Sequence, residues 1–141
     1  MVSKVSASIV QVNISRGGVP KRPILEGNVT TLGIEGDDHA HPQIHGGPRQ
    51  ALLIVTAEGI GELMAQGFPL FAGALGENLT TRGLDRRMLR IGQRYRTPNV
   101  IFELTLSANH PCIKVFPRFN HAIPAYTRLG TPVGAARISK E

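Results

Sequence analysis

Sixteen glycines and ten prolines punctuate a chain of 141 residues, and no other feature narrows the fold as much. Glycine opens left-handed backbone angles, proline fixes φ and removes a backbone donor, and both interrupt helices. The chain therefore reads as many short elements joined by tight turns, which favours a β-rich fold. Its 41% hydrophobic and 18% charged residues are a globular composition. A single domain over residues 1–141 is expected, large enough to bury about two-thirds of its unfolded surface.

Cys112 is the single cysteine, which rules out an internal disulfide. The segment MVSKVSASIVQVN lacks the apolar core and small-residue cleavage site of a secretory leader. No stretch approaches the roughly 20 apolar residues of a membrane span. A cytoplasmic protein with no membrane partner is expected. The net charge of +6 includes six arginines between Arg82 and Arg96, and it predicts attraction to an anion. Nucleic acid is disfavoured, because five Phe, two Tyr and no Trp leave few stacking platforms. A phosphate-bearing cofactor or an acidic protein would use the same field.

Taken in order, Lys4–Ile14 reads as an opening strand whose apolar parity changes between Ile9 and Val10, as a bulge requires. Ser15–Pro23 is a basic turn that presents Arg16, Lys21 and Arg22, either as a solvated hairpin or as an anion-binding rim. Asn28–Leu32 suits a second strand. Ala51–Val55, five consecutive apolar residues, reads as a strand buried on both faces. Thr56 then reads as the N-cap of a helix with Glu58 in its first turn, a stripe of Ile60, Leu63 and Met64, and Gly67 after its end. Val100–Leu106 is the strongest strand signal, with Ile101, Glu103 and Thr105 on one parity and Phe102, Leu104 and Leu106 on the other. A last strand is expected over Ala135–Ile138.

Two places hold reactive groups. Leu32–Gln50 gathers Asp37, Asp38, His39, His41, His45 and Arg49 in a loop rich in glycine and proline. Its H-x-H-x-x-x-H spacing with Asp37 suits zinc by ligand type, whereas loop histidines also serve as hydrogen-bonding groups around another centre. The other place is Cys112, which follows Pro111, with His110 and Lys114 two positions away on either side. In an extended segment residues at i and i+2 share a face. Adjacent cations favour the thiolate, a better nucleophile and a soft metal ligand. A buried inert thiol is the bland alternative, and the residues alone leave the two open. No nucleophile elbow, phosphate loop or dinucleotide fingerprint occurs. Glu35, Asp37 and Glu77 could form a carboxylate pair for glycoside hydrolysis, but nothing selects them.

Read together, GGVPKRPI, LGIEGDDHAHPQIHGGPRQALLIVTAE, GFPLFAGALGENLTTRGLDRRMLRIGQRYR, VIFELTLSANHPCIKV and GTPVGAARI resemble the MOSC domain. That family is named for the C-terminal domain of molybdenum cofactor sulfurases, and the chain is similar to a small stand-alone member. The resemblance implies a mostly β fold, barrel-like and of the pyruvate-kinase-barrel type, with one or a few short helices. It implies the molybdenum cofactor (molybdopterin) as ligand, with Cys112 as the reactive group that carries sulfur or coordinates molybdenum. Lys21, Arg22, Asp37, His39, His45, Arg49, Glu77, Asn78 and Lys114 are then expected around the cofactor, the cations Lys21, Arg22, Arg49 and Lys114 receiving its phosphate. A family-level association with pyridoxal phosphate comes with the same resemblance. In this reading the histidine loop is a wall of the pocket rather than a zinc site, and His41 is solvated.

The chain departs from the family pattern at several points. Arg49-Gln50 stands where Asp-Arg usually follows His-Gly-Gly-Pro, and Asn109 replaces an arginine three residues before the cysteine. Gly92-Gln93 and Val55-Thr56 differ as well. Losing the arginine removes a bidentate donor for phosphate or carboxylate. Three functions follow from the resemblance and the residues. The first is a cofactor-binding or sulfur-carrier domain, with a cysteine desulfurase or a molybdoenzyme as partner. The second is a molybdenum-dependent reductase of N-hydroxylated compounds served by a separate electron-donor protein. The third is a basic anion- or nucleic-acid-binding module without cofactor.

Overall fold

The computed structural model describes residues 7–38, 50–97, 100–106, 112–117, 122–124, 127–128, 131–132 and 136–140, and beyond residue 105 the description is of backbone alone. The first half contains β1 (Ala7–Ile14), β2 (Arg22–Ile24), β3 (Glu26–Thr30), β4 (Gly33–Ile34), β5 (Leu52–Thr56) and the helix α1 (Ala57–Ala65). β6 (Leu79–Arg82), a 3-10 turn (Arg86–Met88), β7 (Arg94–Arg96), β8 (Val100–Leu106) and β9 (Cys112–Pro117) follow. The last strands are β10 (Ala122–Pro124), β11 (Thr127–Arg128), β12 (Thr131–Pro132) and β13 (Ala136–Lys140). Strands dominate and α1 is the one α-helix among the described residues, as the glycine and proline content requires.

The main sheet has the order β13-β7-β8-β9-β5-β6-β1-β2, and β13 pairs in addition with β1. β1 is thus paired along both edges, with β6 on one side and with β13 and then β2 on the other. Pairing also joins the last strand, β13, to the first. The parity change read at Ile9–Val10 is a true bulge: the β1–β6 register shifts between Ile9 and Gln11. One extra residue there bends the strand and lets it serve two sets of neighbours.

β5 and β6 pair in parallel, which a hairpin cannot connect. The crossover is α1. Thr56 caps it by accepting from the Gly59 amide, and Gly67 follows its end at φ 98°. Of the stripe read from sequence, Ile60 alone is buried, while Leu63 is half-buried and Met64 is exposed. The helix packs against β5 and β6. β5 also differs from expectation. Leu52, Ile54 and Thr56 are buried but Leu53 and Val55 are only half-buried, so one face of the strand looks outward despite its unbroken apolar sequence.

Ile9, Val12, Val29, Leu52, Leu79, Val100 and Phe102 fill the core. Each such side chain contributes about 1.5–3 kcal/mol on burial. On β8 the parity read from sequence holds, with Phe102 and Leu104 buried and Ile101, Glu103 and Thr105 half-buried. The second strand begins and ends two residues before the expected span, at Glu26–Thr30, and the last runs later, at Ala136–Lys140. No helix among the described residues is long and apolar enough to cross a membrane.

Candidate functional site

At the end of β1 the chain buries polar groups together. Asn13 is fully buried, and its side-chain amide donates to the Glu77 carbonyl and to Thr80 Oγ1, both at 3.2 Å. Its backbone N–H donates to the Asn78 carbonyl at 2.8 Å. Asn78 is buried in turn, and every polar atom of its side chain is engaged. Nδ2 donates to the Asn13 carbonyl (3.2 Å) and to Asp37 Oδ2 (2.8 Å), while Oδ1 accepts from the Leu53 amide (3.1 Å). The Asn78 N–H donates to the Leu53 carbonyl at 2.9 Å. One side chain thereby stitches β1, β5 and the loop after β4, where a regular strand would use backbone alone.

Asp37 is the charged centre of this cluster. Its Oδ1 accepts from the Ser15 amide at 2.9 Å and from Lys21 Nζ at 2.6 Å. The two side chains of that ion pair are only 6% and 3% exposed. A buried ion pair is tolerated when further hydrogen bonds satisfy the remaining lone pairs, and here Ser15 and Asn78 supply them. The basic turn is also tied to the loop after α1, since the Lys21 amide donates to the Gly73 carbonyl at 2.8 Å. Gly73 has φ 96°, and a Cβ there would collide with the Lys21 carbonyl oxygen. Only glycine permits that approach.

Glu77 completes the cluster with no exposed surface. Oε2 accepts from Thr80 Oγ1 at 3.1 Å, and Oε1 has no partner among the described residues. An orphan buried acceptor is rare, and in a native fold it calls for an explanation.

The residues expected around a cofactor separate into four groups. Lys21, Asp37, Glu77 and Asn78 come together as described. Arg22 does not join them. It is exposed on the outer side of the turn, its guanidinium 5.7 Å from the centroid of the Phe71 ring. Cys112 and Lys114 lie on β9 and are placed by register alone: Cys112 opposite Leu53 of β5 and Leu106 of β8, Lys114 opposite Glu103. His39, His41, His45 and Arg49 lie outside the described residues. Asn13 and Ser15 were not singled out by sequence reasoning. The sole hint was an asparagine closing a strand between two apolar residues.

The arginine-rich stretch adopts a different role. Arg86 pairs with Glu62, Arg87 with Asp85 and Arg94 with Glu103, each at 3.0 Å. The first two pairs line an open groove of about 830 Å³ at the start of α1, where Glu58 also accepts from the Gly83 amide. Hydrogen bonding from Arg87 holds the Asp85 carboxyl below its ordinary value, and the same contact raises Arg87. Burial pushes the Tyr95 phenol up. Three of the six arginines in this stretch are therefore matched locally by carboxylates.

A family model described as the MOSC domain matches residues 41–136. Protein YiiM of Escherichia coli (strain K12) is 32% identical over 96 residues, which are 65% of this chain and 42% of that protein. The YflK protein of Bacillus subtilis (strain 168) is 31% identical over 106 residues, 72% of this chain and 47% of that protein. The matched region thus spans less than half the length of either curated relative. Among solved structures, the YUAD protein from Bacillus subtilis superposes with a TM-score of 0.74 at 15% identity, covering 99% of this chain and 98% of that one. At that identity the likeness is one of fold.

Proposed function

This chain belongs to the MOSC domain family, and we propose that it is a sulfur-carrying or molybdenum-cofactor-binding domain whose reactive group is Cys112. The observation that carries this reading is the placement of Cys112 in register with Leu53, the one β5 residue whose amide and carbonyl are both taken by Asn78. The backbone that presents the sulfur is therefore braced by a buried polar cluster, not by apolar packing alone. Asn78 and Asp37 hold the geometry, and Lys21 neutralises Asp37.

In the carrier reaction the Cys112 thiolate attacks the outer sulfur of a donor persulfide. A new S–S bond forms, the donor's S–S bond breaks, and the donor leaves as its thiolate. The rate of such an attack follows the thiolate fraction and access, which is the service expected of a cationic Lys114 two residues along β9.

The residues suit the molybdenum cofactor in type. Cys112 offers a soft sulfur, and Glu77 Oε1 is a buried acceptor without a donor among the described residues. When bound, the cofactor would supply a metal that cycles by two electrons. Because Lys21 is already paired and Arg22 faces outward over Phe71, we assign the cofactor's phosphate to Arg49 and Lys114.

Co-expression with cofactor biosynthesis, followed by measurement of bound molybdenum and pterin, tests the binding half. Wild type should retain both and Cys112→Ala should lose the metal; equal, negligible molybdenum in the two would sink it. Incubation with a cysteine desulfurase and cysteine should add the mass of one sulfur to wild type and none to Cys112→Ala. Turnover of a hydroxylamine with an artificial electron donor, lost in Cys112→Ala, would replace the carrier by the reductase.

A further inference from the structure

The basic turn between β1 and β2 and the loop after α1 form one surface. The Lys21–Gly73 hydrogen bond ties them, Arg22 sits over Phe71, and Val19 Cγ1 lies 2.9 Å from where a Cβ of Gly76 would stand. On this surface Val19, Phe71 and Leu75 are 65%, 46% and 41% exposed, large values for apolar side chains that the core could have taken. Arg16 and Arg22 are exposed beside them. Neither residues 15–25 nor residues 63–76 contain an Asp or Glu. Arg86 and Arg87 of the α1 groove are matched by carboxylates; the arginines of this face are not matched from within either segment.

We propose that this face docks an acidic partner protein that brings sulfur or electrons to Cys112. The inference rests on Cys112 being the reactive group. With a single cysteine and a single thiol, the chain needs an outside reagent for either chemistry. Phe71 and the arginines are of the residue types that protein interfaces enrich, Val19 and Leu75 add exposed apolar area beside them, and the charge selects an acidic counterpart. Nucleic acid fits less well, because the Arg22 guanidinium already stands over the Phe71 ring, the face a base would stack on. The same turn carries Lys21, whose ammonium holds Asp37 in the cluster that braces the β5 position opposite Cys112. A partner seated here is one residue from that cluster.

The test is amide chemical-shift mapping of the full chain titrated with two acidic probes, flavodoxin and a cysteine desulfurase, and with phosphatidylcholine–phosphatidylglycerol vesicles. Shifts should centre on Val19, Phe71 and Leu75 with at least one acidic protein. They should collapse in about 1 M salt, where the screening length falls to about 3 Å. Val19→Glu and Leu75→Glu, both at exposed positions, should weaken the association about tenfold or more without changing the unfolding midpoint. No response to either acidic protein, a response centred elsewhere, or binding to the vesicles alone overturns the proposal. Cys112→Ser separates the two readings. Docking that persists in this variant while wild type accepts no sulfur and no molybdenum defeats the assignment of Cys112 and spares the interface; sulfur loading of wild type with no docking does the reverse.

Discussion

Lys21–Asp37 and Arg87–Asp85 are both cation–carboxylate contacts at hydrogen-bonding distance, 2.6 and 3.0 Å, yet they do different things. The side chains of the first are 6% and 3% exposed, those of the second 84% and 45%. In the interior neither charge has water to fall back on, so each is committed to the other and to the hydrogen bonds around them. On the surface, water and salt replace either partner at small cost. Distance alone does not distinguish a structural lock from an incidental contact; burial does.

Breaking the buried pair is the largest perturbation available. Asp37→Ala leaves Lys21 charged and unpaired and should cost about 3–5 kcal/mol, read from the shift of the urea unfolding midpoint. The double variant Lys21→Met/Asp37→Leu should recover most of that loss, since apolar residues of similar size replace buried pairs well. If the double variant is as unstable as the single one, the Ser15 and Asn78 hydrogen bonds rather than the charges are what the fold needs. Next in size is Asn78→Ala, which strands the Leu53 amide, the Asn13 carbonyl and Asp37 Oδ2; a loss of roughly 1–3 kcal/mol is expected, with faster hydrogen exchange at Leu53.

Between the two regimes lies Thr56, buried at the edge of the arginine-lined groove. Thr56→Ala should cost about 1 kcal/mol through the lost cap of α1, seen as a lower midpoint with β-sheet signals unchanged. Smallest is Arg87→Ala. A marginal drop in unfolding midpoint at neutral pH is expected, and the Asp85 carboxyl, now held low by Arg87, should titrate closer to its ordinary value by NMR. The sign follows from linkage: a carboxyl depressed in the folded state adds stability above its unfolded pKa, and that increment fades as pH falls through the depressed value. In Arg87→Ala the acid limb of the stability curve should therefore flatten slightly. A marked loss at neutral pH would mean that the exposed pair behaves like the buried one.

Much of this was readable from local pattern. The Thr56 cap, the β8 alternation and the bulge at Ile9–Val10 all depend on neighbours within a few residues, and all are present. Where the reading departed from the structure, the missing fact was non-local. Five apolar residues at 51–55 cannot reveal that β5 keeps one face half-open, because that depends on what packs against it. Likewise Leu63 and Met64 follow Ile60 at helical spacing, but of the three only Ile60 is buried.

The site divides the same way. Asp37 and Asn78 stood out as polar residues in turns rich in glycine, and Cys112 as a sulfur at the mouth of a strand. That Asn78 would bond Asp37 across 41 positions, or that Lys21 would turn inward and Arg22 outward, has no counterpart in either segment. By itself, then, the sequence determined a β-rich chain, the position of its helix and the place of its one cysteine, because those follow from backbone preferences and residue chemistry within a short window. The tertiary structure decided which cation becomes a buried counter-ion and which an exposed contact. Strand pairing sets that burial, and burial governs the strength of every charge interaction it encloses.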